Sequence, residues 1–332
     1  MKSVIVTGGC GYIGSHIVLQ LLKEFNVIVI DNNTNSSPKV LKVIEKITKR
    51  SICFIKADIR NKISYEYVFE IFKPVAVIHL AGLKAVGDSV KFPLEYYDNN
   101  VSGTIRLLEV MKKYGCNKIV FSSSATVYRP SDKALNENSP LGPTNPYGRT
   151  KLMIEDILKD LRGWQVVTLR YFNPIGADQS GLIGEDPKGT PNNLLPYITQ
   201  VMVDRRKYLN VFGDDYKTVD GTGVRDYIHV CDLADGHVVT LKKILDIDKP
   251  YHKVYNLGTG KGYSVKQVVN TMEKVSGIKV PLQITGRRPG DVAICFSSPD
   301  KISEELGWKT RYNLEDMCRD SWRWQKGNPD GF

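Results

Sequence analysis

The chain reads as an α/β protein, a Rossmann-type doubly wound parallel sheet with a smaller mixed α/β lobe for binding substrate. Three observations predict it. Short apolar runs alternate with helical stretches, a glycine-rich turn joins the first run to the first helix, and an acid closes the second run.

The elements follow in order. Val4-Ile5-Val6 ends in Thr7-Gly8-Gly9-Cys10-Gly11-Tyr12-Ile13-Gly14, and Ile17, Val18, Leu21 and Leu22 then share one helical face. Val27 to Ile30 is a second strand, ending at Asp31. Residues 52–57, 75–80, 118–121 and 166–169 read as further strands, separated by helices that include 93–114 and 147–161. Past residue 171 Pro and Gly become frequent and the elements shorten, although 268–275 and 314–324 remain amphipathic. We therefore expect a nucleotide-binding domain over 1–171, with segments around 225–258 returning to it, and a smaller second region over 172–332.

Composition excludes several classes. The 42% hydrophobic and 25% charged content of the 332 residues suits a globular fold. The net charge of +10 comes without a long basic block, which argues against nucleic acid. Cysteines 10, 53, 116, 231, 295 and 318 form no C-x-x-C pair, so reduced thiols are expected and no metal site is read. No signal-peptide pattern or apolar run of membrane length occurs, and the expected location is the cytoplasm, with no membrane partner.

Gly8, Gly11 and Gly14 lie between a strand and a helix, where glycine lets backbone amides approach a pyrophosphate. Asp31 can accept from the adenosine ribose and would repel a 2′-phosphate, and 32–38 hold no Lys or Arg to neutralise one. The expected cofactor is NAD. Asp58 ends another strand and could reach the adenine or simply close a turn.

Tyr147 and Lys151 stand four apart, so they stack on one helical face. A nearby ammonium favours the phenolate, bringing a phenol of pKa about 10 toward the working range of a general base. An exposed Tyr/Lys pair would look the same in sequence. The hydroxyl-rich run Ser122-Ser123-Ser124-Ala125-Thr126 lies upstream at a strand end. Ser124 there can bridge substrate and Tyr147, or serve as a turn serine.

With these residues the chain resembles the extended short-chain dehydrogenase/reductase family, and within it the UDP-hexose 4-epimerases. The resemblance runs from Val4 to about Gln325. It is carried by stretches 7–16, 80–86, 93–103, 121–128, 146–151, 170–176, 191–197, 220–237 and 287–291. It implies that Tyr12, Ile13, Asp31, Asn32, Asn35, Ser36, Asp58, Ile59, Leu80, Ala81, Gly82, Lys84, Asn99, Ser124, Tyr147, Lys151 and Phe172 line the NAD site with the glycines. It implies that Lys84, Ser124, Thr126, Tyr147, Asn173, Asn193, Leu194, Asn210, Phe212, Arg225, Tyr227, Arg288, Asp291 and Cys295 face the UDP-sugar. Tyr147, Lys151 and Ser124 would be catalytic.

The implied activity interconverts UDP-galactose and UDP-glucose through a transient 4-keto sugar, as part of galactose metabolism, in a homodimer joined by the helices at 93–114 and 147–161. Arg129 departs from the glycine usual in the family. Cys295 falls where a bulky tyrosine restricts the pocket to unmodified hexoses. A small residue there implies activity on UDP-GalNAc and UDP-GlcNAc as well. The rivals are a 4,6-dehydratase or a UDP-glucuronate decarboxylase, although no carboxylate follows Thr126 to assist elimination, and a binding protein that has kept the fold without the chemistry.

Overall fold

The apolar runs become strands whose alternate side chains fill two separate cores. The computed structural model describes residues 1–288 and 291–332, so the middle of the 287–291 stretch lies outside the described residues. The strands are β1 (Ser3–Thr7), β2 (Asn26–Asp31), β3 (Cys53–Lys56), β4 (Ala76–His79), β5 (Lys118–Ser124), β6 (Gln165–Tyr171), β7 (Asn173–Ile175), β8 (Leu209–Phe212), β9 (Val224–His229), β10 (Tyr251–Leu257), β11 (Gly262–Ser264), β12 (Leu282–Thr285) and β13 (Ile294–Cys295).

Seven of them form one parallel sheet in the order β10-β6-β5-β4-β1-β2-β3. Val4, Val6, Val27 and Val29 face a core shared with the helices Tyr12–Leu21 and Val230–Leu245. Ile5, Ile28, Ile30 and Val77 face the opposite core, against Gly103–Lys113 and Pro146–Lys159. Both faces are covered, which is why these strands read as continuous apolar runs. Each fully buried Val or Ile contributes about 1.5–3 kcal/mol.

The small lobe holds β11-β9-β13 with β7 on β9, and a separate parallel pair, β8 and β12. Its core includes Leu195, Ile198, Tyr227, Val268, Met272 and Met317. After β9 the chain goes back to the large layer: Val230–Leu245 packs beside Tyr12–Leu21, and β10 joins the edge of the large sheet at β6. Residues 224–229 stay with the small sheet.

Two elements differ from the sequence reading. β5 runs past Phe121 through Ser122-Ser123-Ser124, which pair with Leu169, Arg170 and Tyr171, and Ala125-Thr126 then enter a 3-10 turn, so the hydroxyl run spans the strand end. The helix expected over 93–114 is interrupted by a π segment, Tyr97–Ser102. Its cause is visible in Asn100, whose buried carboxamide accepts from Leu83 N at 2.8 Å and donates to Leu83 O and Thr150 Oγ1, each at 3.0 Å. A wider helical turn aims that side chain inward.

Candidate functional site: a dinucleotide cradle beside a Tyr/Lys pair

The turn after β1 is shaped by contacts that no side chain could share. Gly8 has φ +72°, and a Cβ there would lie 2.8 Å from Ala81 N. A Cβ on Gly14 would lie 2.1 Å from Gly8 O, and one on Gly11 3.3 Å from the same oxygen. The helix Tyr12–Leu21 begins here without a side-chain cap, so its first amides are left for a ligand. Thr7 Oγ1 accepts from Leu80 N and Ala81 N, both at 3.2 Å, and locks β4 to β1 at the cradle floor. His79 bridges Thr7 and Thr104 and is held neutral, since burial lowers its pKa to about 3.

Asp31 is buried at the end of β2. It accepts from Cys10 N at 3.0 Å through one oxygen, and from Asn33 N at 2.9 Å and Ser36 Oγ at 3.0 Å through the other. Its carboxylate is thereby fixed beside the glycine turn. Asn32 donates to Asp58 at 3.0 Å, and Arg60 grips Asp58 with two bonds of 2.9 Å, which hold that carboxyl well below its usual range. The side chain of Ile59 packs under Gly103, 2.8 Å from where a Cβ would stand. Asn35 is exposed, and Asn99 occupies the π segment. Gly82 lies against Asn100, with Lys151 Nζ 3.9 Å from its missing Cβ. These shapes fit a dinucleotide: an open glycine turn, uncapped amides and a fixed acid at the next strand end.

Tyr147 and Lys151 sit in the first turns of Pro146–Lys159, which Asn145 caps through Gly148 N at 2.9 Å. Gly148 is required there, since a Cβ would come 2.6 Å from Thr126 O. The Lys151 ammonium lies 5.9 Å from the Tyr147 ring centre and donates to Ser122 O at 2.7 Å. Burial lowers its pKa to about 8, opposed by Glu155 one turn on. Burial pushes the Tyr147 phenol up, and the Ser124 hydroxyl draws it down. Ser124 thus eases the phenol toward ionisation, while one N–H of the Lys151 ammonium is taken by the Ser122 carbonyl. Ser124 also accepts from Thr126 Oγ1 at 2.9 Å and Thr126 N at 3.2 Å, so it is a turn cap as well.

Beyond this pair, Phe172 is buried with Val127, Tyr128 and Leu135, and Cys295 packs against that group. Cys295 pairs with Arg225 across β13 and β9. Arg225 lies 3.6 Å from Asp291, Arg288 lies 3.9 Å from the same carboxylate, and the Arg288 guanidinium stacks 4.2 Å over Phe212. Residues separated by up to 79 positions thus form one cationic, aromatic-edged cluster. Tyr227 is buried, with its phenol pushed up to about 12 by desolvation. Asn173 pairs with Tyr227, Leu194 opens a helix, and Asn210 pairs with Gln283 on the two-stranded sheet, farther along the lobe.

One residue that the sequence did not single out joins the two halves. Glu185 accepts from Asn193 Nδ2 at 2.7 Å and lies 3.5 Å from Lys84 Nζ, with its own side chain only 9% exposed. It lies in the stretch past residue 171 where Pro and Gly are frequent, and nothing in that composition marks it.

The family model described as GDP-mannose 4,6 dehydratase matches residues 5–321. The UDP-glucose 4-epimerase of Bacillus subtilis is 54% identical over 99% of this chain and 98% of its own length. The chain belongs to the UDP-glucose 4-epimerase family. The human UDP-glucose 4-epimerase is 52% identical over 100% of this chain and 98% of its own. A solved UDP-glucose 4-epimerase of Bifidobacterium longum, in complex with NAD+ and UDP, superposes with a TM-score of 0.96 at 50% identity, covering 100% of both chains. The mostly parallel sheet with its flanking helices is that of the solved epimerases of this family. No described helix is long and apolar enough to cross a membrane.

Proposed function

We propose that this chain interconverts UDP-galactose and UDP-glucose on a bound NAD. The observation that carries this reading is that Ser124 and the glycine cradle both lie at the carboxyl-terminal ends of the parallel strands, with the helix of Tyr147 and Lys151 beside them. NAD, when bound, would supply a two-electron acceptor for the hydride of the sugar C4 and a donor for its return. Gly8, Gly11, Gly14 and the uncapped helix would hold its pyrophosphate, Asp31 its ribose, and Lys151 the ribose next to the nicotinamide.

Tyr147 Oη removes the proton of the 4-hydroxyl, with Ser124 Oγ donating to the oxygen that gains charge. Arg225 and Arg288 hold the diphosphate through charge-assisted bonds, and Phe212 covers the base. The sugar, anchored only at its UDP end, turns in the pocket and exposes its other face. Tyr147 then returns the proton to the opposite stereoisomer. Atoms and electrons balance with no net oxidation. Elimination of water, as in a 4,6-dehydratase, needs a carboxyl acid near Thr126, and Val127-Tyr128 follow instead.

Cys295 leaves a small residue against Phe172, which supports turnover of the 2-N-acetyl sugars UDP-GalNAc and UDP-GlcNAc. Val86, Val90, Phe92, Leu94, Ile105 and Met153 are exposed on neighbouring helices and the link at 92, which supports a homodimer through that face, measurable as particle mass by light scattering. The six free cysteines suit the cytoplasm. The deciding experiment gives purified protein UDP-galactose without added NAD and assays UDP-glucose. Turnover is expected, and Tyr147→Phe should abolish it while leaving NAD bound. A folded, NAD-loaded protein that leaves UDP-galactose unchanged would overturn the reading.

A further inference from the structure

The long loop 176–193, between β7 and the helix Leu194–Met202, crosses back to the large layer at three places. Tyr12 Oη donates to Gly176 O at 2.7 Å, at the start of the cradle helix. Glu185 meets Lys84 at 3.5 Å, beyond β4. Lys188 Nζ donates to Asn33 O at 2.7 Å and to Thr34 O at 3.3 Å, in the turn that follows Asp31. Loops longer than about 12–15 residues without secondary structure are uncommon in compact domains and usually functional.

The third contact falls at an informative place. Asn33 has φ +59°, and its amide and the Ser36 hydroxyl both bond the same Asp31 oxygen. The carbonyls of that strained turn point outward, and a single ammonium gathers two of them. A second tie runs beside it: Asp186 accepts from Phe332 N at 3.0 Å, while Phe332 O accepts from Lys39 Nζ at 2.9 Å, just past the same turn. The sequence placed no lysine within 32–38. The fold brings one there from the other lobe.

We propose that Lys188 is a positioning residue for the cofactor: it fastens loop 176–193 to the Asn33–Thr34 turn and so slows release of the dinucleotide. The inference rests on the reading that the cradle binds NAD. A catalytic cycle that takes and returns one hydride fails if the reduced cofactor escapes between the two steps, so a fastener at the adenosine end serves turnover without touching the sugar. Lys188 is exposed and contacts neither the Tyr147 pair nor the Arg225 cluster, so its substitution leaves the chemistry in place.

The test uses the full chain and its Lys188→Met and Lys188→Arg variants, each loaded with labelled NAD and chased with excess unlabelled NAD. Loss of two hydrogen bonds from a solvent-exposed ammonium is expected to speed release about three- to tenfold in Lys188→Met. Lys188→Arg should restore slow release. The thermal midpoint of the NAD-free protein and turnover of UDP-galactose at saturating NAD should stay at wild-type values. Release at the wild-type rate in Lys188→Met overturns the proposal, as does faster release that arginine does not restore or that comes with a lowered midpoint. Should even the wild type fail to turn over UDP-galactose, the functional reading falls, while the release rates still judge the fastener.

Discussion

Glu155 and Arg170 form a two-bond ion pair sealed from water, with Nε to Oε1 at 3.0 Å, Nη2 to Oε2 at 2.6 Å, and side chains 1% and 3% exposed. The pair joins the helix that carries Tyr147 to β6, one turn on from Lys151. Ser123 Oγ adds a bond of 2.5 Å to the same carboxylate.

Removing one partner strands the other charge. Arg170→Met is expected to cost about 3–5 kcal/mol, read as a denaturant midpoint shift, while the double variant Glu155→Leu/Arg170→Met recovers most of it. A double variant no better than the single would show that the arginine acts by packing on Tyr128, over which it lies at 4.8 Å.

Lys151 is held in the fold at a cost. Its pKa falls from 10.5 to about 8 on burial, so between pH 8 and 10.5 the unfolded chain binds more protons and stability rises with pH across that window. Below about pH 8 the full penalty applies. Lys151→Met should therefore stabilise the NAD-free protein at pH 7 by about 1–3 kcal/mol, the loss of the Ser122 bond taking back part of the gain. The advantage should shrink as pH climbs from 8 to 10. Urea melts of the stripped protein at pH 7 and pH 10 check both signs, and activity should be lost throughout.

Gly14→Ala places a methyl group 2.1 Å from Gly8 O and 2.8 Å from Gly9 Cα. The glycine turn has to open, and the protein should purify without NAD and without activity. Absorbance of the cofactor released on denaturation measures this.

Cys295→Tyr adds an aromatic ring beside Phe172 and Tyr128. Turnover of UDP-galactose should persist, and that of UDP-GalNAc should fall by about ten- to a hundredfold, the scale of overpacking a filled site by 1–3 kcal/mol. Paired kcat/KM values on the two sugars decide it.

What could be read in the sequence was local. Gly8, Gly11, Gly14 and Asp31 declare a cradle because their spacing is the turn's own geometry. Tyr147 and Lys151 do so because four residues make one helical turn. The unbroken apolar run Val4-Ile5-Val6 likewise marked a strand covered on both faces. Contacts between distant residues left no comparable trace. Glu185 looks like one acid in a glycine-rich loop until Asn193 and Lys84 close on it. Asn100 looks like an unremarkable member of a helical run, because no periodicity announces a π turn. The direction of the Lys151 ammonium was equally hidden, since it depends on a carbonyl, Ser122 O, that every residue possesses.

That π turn sets a constraint on length. With a wider turn at Tyr97–Ser102, the helix carries a local surplus of backbone. Shortening the segment by a single residue would let the ladder relax to ordinary α spacing with Leu107 and Met111 still turned to the sheet. Straightening it at full length would instead carry both about 100° round the helix axis. Either change turns the Asn100 carboxamide away from Leu83, so the length of this segment and the anchorage of its asparagine are set together.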